Sequence, residues 1–190
     1  MPDTPQSLLL ALRAATRASH KRLEARLPFF SAGFDLARYR DLMAAYHGFH
    51  APLEARLAGY QGRERAKTPA LAQDLRSLGV ELEALPRCQQ LPRIDDEASA
   101  LGVMYVLEGS TLGGQVLKQA MAERLGIDAA SGGAFLDVYG PLTGTHWRSF
   151  LGRLGAFAHQ PDSEARALQA AVATFECFEH WLEQRNTLLD

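Results

Sequence analysis

The stretch ALGVMYVLEGSTLGGQVLKQAMAERL, residues 100–125, sets four glycines inside a pattern that is otherwise strongly helical. Apolar residues recur in it every three or four positions, the spacing that gathers them on one face of an α-helix. Each interior glycine weakens a helix by about 0.8–1 kcal/mol against alanine, so Gly102, Gly109, Gly113 and Gly114 together cost roughly 3–4 kcal/mol. Two compensations are open: close packing against another helix, or a ligand lying on bare backbone with the helix kinked there. Gly109 and Gly113 are four apart and share a face, with Ser110 and Gly114 one residue further round. The bald surface is therefore broad and carries a hydroxyl. Helix packing explains one small pair well; four glycines and a serine suit a flat ligand better.

Working outward, Asp95 or Asp96 starts this helix and Gly126 closes it. The same periodicity runs through most of the chain, and no stretch alternates with period two between hairpin turns. The expectation is an all-α, single-domain helical bundle over residues 1–190. A first helix starts at Thr4, Pro5 and Ser7 and carries the stripe Leu8, Leu12, Ala15, Ser19, Leu23 and Leu27 up to Pro28. A second runs from Asp35 to about Gly59, and a third from Thr68 and Pro69 to near Gly79. Residues 86–92 form a loop, and 131–140 a turn-rich connector. A fifth helix follows Pro141 to about His159, and a sixth, capped by Pro161, Asp162 and Ser163, runs through Trp181 to about Leu188.

The chain has 190 residues, 47% apolar and 22% charged, an ordinary globular composition able to bury a core. Its 20 Lys and Arg against 22 Asp and Glu give a net charge of −2, which excludes a protein that coats phosphate backbones. No apolar run approaches the roughly 18 residues that span a bilayer. The N-terminus lacks a positive region before its leucines, and the C-terminus, WLEQRNTLLD, lacks an anchor. A cytoplasmic protein with neither nucleic acid nor membrane as partner is expected. Cys88 and Cys177 are too few and too far apart for a disulfide framework or zinc site.

On a helical wheel His20 falls at the edge of the first helix's leucine stripe. Arg13, Arg17 and Glu24 lie along the same edge. Imidazole is the commonest metal ligand, and a ligating ring gives its other N–H to an acceptor, which Glu24, one turn on, can supply. Guanidinium groups at the margin of an apolar surface pair with carboxylates. A flat, apolar, dianionic iron chelate fits these residues; the alternative is an exposed i,i+4 pair on an ordinary amphipathic helix.

The segment LRAATRASHKRLE, residues 12–24, resembles the proximal helix of the haem oxygenase family, and YVLEGSTLGGQVL, residues 105–117, resembles its distal helix, especially in the soluble bacterial forms. AAYHGFHAPLE, residues 44–54, is similar to the family's second helix, and the likeness in helix order extends over most of the chain. The resemblance implies haem, both substrate and cofactor, between the first helix and the Gly-rich kinked fourth. It implies His20 as axial iron ligand, Glu24 as its acceptor, Arg13 as partner of a haem propionate, and Tyr105 and Arg17 as further contacts. Gly109 and Gly113 become the distal glycines, with Gly114 beside them. Phe175 and Phe178 either pack on the proximal face or belong to the plain core. Many members carry an aspartate where this chain has Ser110, so proton delivery falls to Ser110, ordered water and His47.

The implied activity is oxidative cleavage of haem to biliverdin, carbon monoxide and ferrous iron. It uses molecular oxygen and electrons from a reductase or ferredoxin, and its product can supply a biliverdin-binding photoreceptor. Three competitors are weighed. A di-iron bundle needs Glu-x-x-His, and none of the six histidines has a Glu three residues before it. A cysteine hydrolase needs a thiol activated by a base, and Cys88 sits in a Pro-flanked loop, which argues against it. A non-catalytic haem carrier or sensor is the stronger alternative, because of Ser110.

Overall fold

The structure, a computed structural model, describes residues 6–157 and 162–190. Six helices account for most of it: α1 Gln6–Arg26, α2 Leu36–Arg56, α3 Thr68–Ser77, α4 Glu97–Leu125, α5 Thr143–Phe157 and α6 Ser163–Gln184. Short 3-10 turns lie at Pro28–Phe30, Arg63–Arg65, Phe135–Asp137 and Gly140–Leu142, and no strand occurs among the described residues. The all-α expectation holds. The starts proposed at Thr4 and Pro5, the stop at His159 and the cap at Pro161 lie outside the described residues.

The helix boundaries follow capping chemistry. Asp35 accepts from the Arg38 amide at 2.9 Å, and Asp96 forms a reciprocal capping box with Ser99, so α4 starts after Asp96. Gly126, at φ 68°, ends α4 in the left-handed conformation that glycine takes most readily. Two helices stop earlier than their periodicity suggests. α2 passes into turns after Arg56, and α6 ends at Gln184, after which the Leu189 amide donates to the Arg26 carbonyl at 2.8 Å. Periodicity does not register that the tail turns back onto α1.

One hydrophobic cluster draws on all six helices. α4 packs chiefly on α6, and also on α5 and the Phe135–Asp137 turn; α1 packs on α6 and α5; α2 packs on α3 and α6. In α1 the buried stripe is Leu8, Leu12, Thr16, Ser19 and Leu23. Thr16 replaces the expected Ala15, which is exposed. Its hydroxyl is satisfied inside by donating to the Leu12 carbonyl at 2.7 Å.

Pro52 sits within α2 and lacks the N–H that would bond the Gly48 carbonyl. The Cys88 amide takes that place at 2.9 Å, tying the 86–92 loop to α2. Gly48 lets it approach, because a Cβ there would meet the Pro86 carbonyl oxygen at 2.5 Å and the Trp181 ring at 2.8 Å.

Gly102 has the same role between α4 and α6: a Cβ would run into the carbonyl oxygen of Ala167. Gly102→Ala is therefore expected to lose about 1–3 kcal/mol of stability although alanine is the better helix former. Urea unfolding checks this, and a variant as stable as the parent would show that the two backbones are not in contact.

Candidate functional site

His20 stands on the flank of α1 with its side chain 59% exposed and its Nδ1 3.7 Å from Glu24 Oε2. Phe175, from α6, meets the imidazole edge-on, with ring centres 5.7 Å apart and planes at 87°. One ring edge packs against Phe175, a carboxylate lies one turn away, and the remaining surface of the imidazole stays open. Arg13 and Arg17 are exposed along the same side, and neither has an ion-pair partner among the described residues. They are available to an anion.

The four glycines of α4 divide into two kinds. Gly102 abuts the backbone of α6, and a Cβ on Gly114 would lie 2.5 Å from the Leu136 carbonyl oxygen, so both are sites of close packing. Among the described residues, a Cβ on Gly109 would meet only Trp147, at 4.0 Å, and one on Gly113 would meet nothing within 4 Å. Packing accounts for the first pair and leaves the second unexplained. The helix is continuous through all four, so any bend in it keeps its helical hydrogen bonding.

Beneath this part of α4 lies a cavity of about 60 Å³ lined by Phe29, Tyr46, Ser110, Gly114, Leu117 and Phe135, among others. It has room for one or two waters, not for a porphyrin. Ser110 donates its hydroxyl hydrogen to the Leu107 carbonyl at 2.8 Å, which leaves its lone pairs free to accept. Tyr105 and Trp147 pack together at 6.2 Å beside Gly109.

The two halves of the site are joined through α6. Phe175 touches His20, while Phe178, one turn on, packs against Tyr46 at 4.9 Å and Phe49 at 4.8 Å. Only Phe175 meets the imidazole; Phe178 supports the cavity wall.

Between His47 and His50, it is His50 that packs behind the cavity wall. His50 stacks on Tyr46 at 6.1 Å and meets Phe135 at 5.5 Å, both cavity residues. Its Nδ1 is buried with no hydrogen-bond partner among the described residues, 3.9 Å from Glu54 Oε1. Burial opposes charge on Glu54, but His50 and hydrogen bonds from Lys67 and Thr68 outweigh it and hold the carboxyl down at about 2. His47 feels burial first and Arg87 second, and both lower it, to about 4.

A buried ionic cluster escapes the sequence reading. Glu108, one residue before Gly109, accepts from Lys67 Nζ at 2.7 Å, Tyr139 Oη at 2.8 Å and Arg65 Nη1 at 2.6 Å. Lys67 and Glu108 are almost wholly buried. Burial pushes the Lys67 ammonium down and Glu108 pushes it back up. One signal was available: Glu108 is the sole charged residue between Ala98 and Leu117. Its partners, more than thirty residues away, have no local pattern linking them to it.

Comparison with known proteins gives the chain's relatives. A family model described as heme oxygenase matches residues 6–184. A heme oxygenase of Xanthomonas campestris pv. campestris (strain 8004) is 34% identical over 89 residues, 47% of this chain and 52% of that protein, so the match spans about half the relative's length. The NO- and CO-bound heme oxygenase of Neisseria meningitidis superposes with a TM-score of 0.75 at 26% identity, over 97% of this chain and 92% of that one. The heme oxygenase of Leptospira interrogans shares the fold, with a TM-score of 0.75 at 17% identity over 94% of this chain and 99% of its own.

Two outcomes follow from the site as built. Gly113→Ala is expected to raise the stability of the protein without ligand by about 0.5–1 kcal/mol, since the helix gains and nothing is displaced. Loss of stability on thermal or urea unfolding would show a neighbour above Gly113. In acid, the folded-state value of His47 lies below its ordinary 6.5, so the unfolded chain takes up the proton first. Stability is therefore full above pH 6.5 and falls by about 3 kcal/mol as the pH drops to 4. His47→Gln should flatten that slope, and an unchanged pH profile would show that His47 is not held neutral.

Proposed function

The chain belongs to the haem oxygenase family, and from that premise we propose that it cleaves haem to biliverdin, carbon monoxide and ferrous iron. The observation that carries this reading is the open pair Gly109 and Gly113, left bare on α4 after packing has accounted for Gly102 and Gly114. Two side-chain-free positions with no protein neighbour to explain them suit a flat ligand. His20 fits the same ligand from α1, because its imidazole is exposed and has a carboxylate at its Nδ1 side.

Haem, when bound, supplies the iron that activates oxygen and the carbon skeleton that is opened. His20 Nε2 would hold that iron, and Glu24 would accept from the Nδ1 proton, which fixes the tautomer and makes the ring a better donor. Closing the 3.7 Å gap requires only a small side-chain movement or a bridging water. Arg13 and Arg17 would pair with the two propionates, and Tyr105 would contact the haem near Gly109. With no side chain at Gly109 or Gly113, small molecules can approach the face opposite His20.

Proton supply falls to the cavity. Ser110, Tyr46 and His50 surround or support a space sized for water. Glu54, held ionised, faces the His50 imidazole from one turn further along α2. His50 takes the role that the sequence suggested for His47. Electrons come from an external reductase or ferredoxin, and a biliverdin-binding photoreceptor is a fitting consumer of the product.

Ser110, with its hydroxyl already donated to Leu107, favours a second reading in which the protein carries or senses haem without degrading it. Adding hemin, oxygen and a reducing system separates the two. Turnover is expected as loss of the Soret band with growth of biliverdin absorbance, abolished in His20→Ala. A Soret band that persists under reduction in air would support the carrier, and full turnover by His20→Ala would reject the axial assignment.

A further inference from the structure

We infer that Glu179, on α6, is a positioning residue for His20, acting through Arg22 and Arg26 of α1. The inference rests on the reading of His20 as the iron ligand. Its basis is the way α1 is held about its own axis. With about 100° per residue, the buried stripe Leu8, Leu12, Thr16, Ser19 and Leu23 forms a seam along α1. His20 projects about 80° to one side of that seam, Arg22 about 80° and Arg26 about 40° to the other.

One face of α6 reaches both flanks. Phe175 touches His20, and Glu179, four residues later and on the same face, grips the arginines. Arg22 Nε donates to Glu179 Oε1 at 3.0 Å and to Oε2 at 2.8 Å, and its Nη2 lies 2.7 Å from Oε2. Arg26 Nη1 donates to Glu179 Oε1 at 2.9 Å and to Glu183 Oε1 at 2.5 Å. Glu179 is only 6% exposed, so the pairing is not an ordinary surface contact.

The interdigitated apolar seam limits roll of one helix on the other but does not by itself select its direction, because leucine contacts are non-directional. A bidentate arginine–carboxylate pair is directional. Placed across the seam from His20, it opposes roll. A roll of about 10° moves the tip of a helix side chain by roughly 1 Å. That displacement is enough to spoil a ligand bond or a catalytic alignment. The clamp therefore sets the direction in which the imidazole projects.

The test is resonance Raman spectroscopy of the reduced, haem-loaded protein, which reports the iron–histidine stretch, together with the rate of haem loss to apomyoglobin. Glu179→Gln should unfold cooperatively, bind haem, and show a shifted, broadened iron–histidine band with about tenfold faster haem loss. Arg22→Gln changes an exposed side chain, so folding is not at risk, and it should move both readouts in the same direction. Glu183→Gln removes only the outer partner of Arg26 and should leave the band in place. If both Glu179→Gln and Arg22→Gln keep the parental band and off-rate while His20→Ala abolishes the band, the positioning role is wrong and the ligand assignment stands. If His20→Ala keeps the band, both are wrong.

Discussion

Gly102 lets α4 settle directly on the backbone of α6 at Ala167, and that contact fixes the position of everything the two helices carry. α6 also receives α1 along a seam of leucines, and its Trp181 donates to the Ala45 carbonyl of α2 at 2.7 Å. Its two phenylalanines then look in different directions, Phe175 to His20 and Phe178 to Tyr46. The imidazole on α1 and the cavity under α4 are thus referred to one rod. Close-packed helices shift between discrete arrangements and do not deform continuously, so a site shared by three helices keeps its geometry.

A helix with bare positions has little with which to hold its own register where the glycines lie. The buried cluster around Glu108 supplies it. Removing three charged groups from water is costly, and such a cluster specifies an arrangement more than it stabilises one. Here all three Lys67 ammonium hydrogens are used, on Glu108, Tyr139 and the Arg65 carbonyl, and Arg65 meets Glu108 and the His146 carbonyl. The loop holding Arg65 and Lys67 is locked to α4 one residue before Gly109. Glu54 extends the connection, because it accepts from the amides of Lys67 and Thr68 at the start of α3 and faces His50 one turn back on α2.

Much of this was legible in the sequence, for identifiable reasons. Apolar periodicity and caps such as Asp96 and Gly126 are local, so the helices and most of their limits could be read directly. His20 and Glu24 share a helix, so their proximity follows from spacing alone. What was not legible depends on elements distant in the chain. The four glycines of α4 look alike in sequence; only the positions of Ala167 and Leu136 separate packing glycines from bare ones. Sequence points to His47, and only the placement of Tyr46 and Phe135 shows that His50 is the one packed against the cavity wall. Arg22 and Arg26 have no local pattern linking them to Glu179, which lies more than 150 residues away.

The most direct measurement is a crystal structure of the protein grown with hemin. The account predicts iron bonded to His20 Nε2, with the backbone from Gly109 to Gly113 over the opposite face of the ring and Arg13 and Arg17 at its propionate edge. Iron held by any other side chain, or a porphyrin bound away from Gly109 and Gly113, would contradict it.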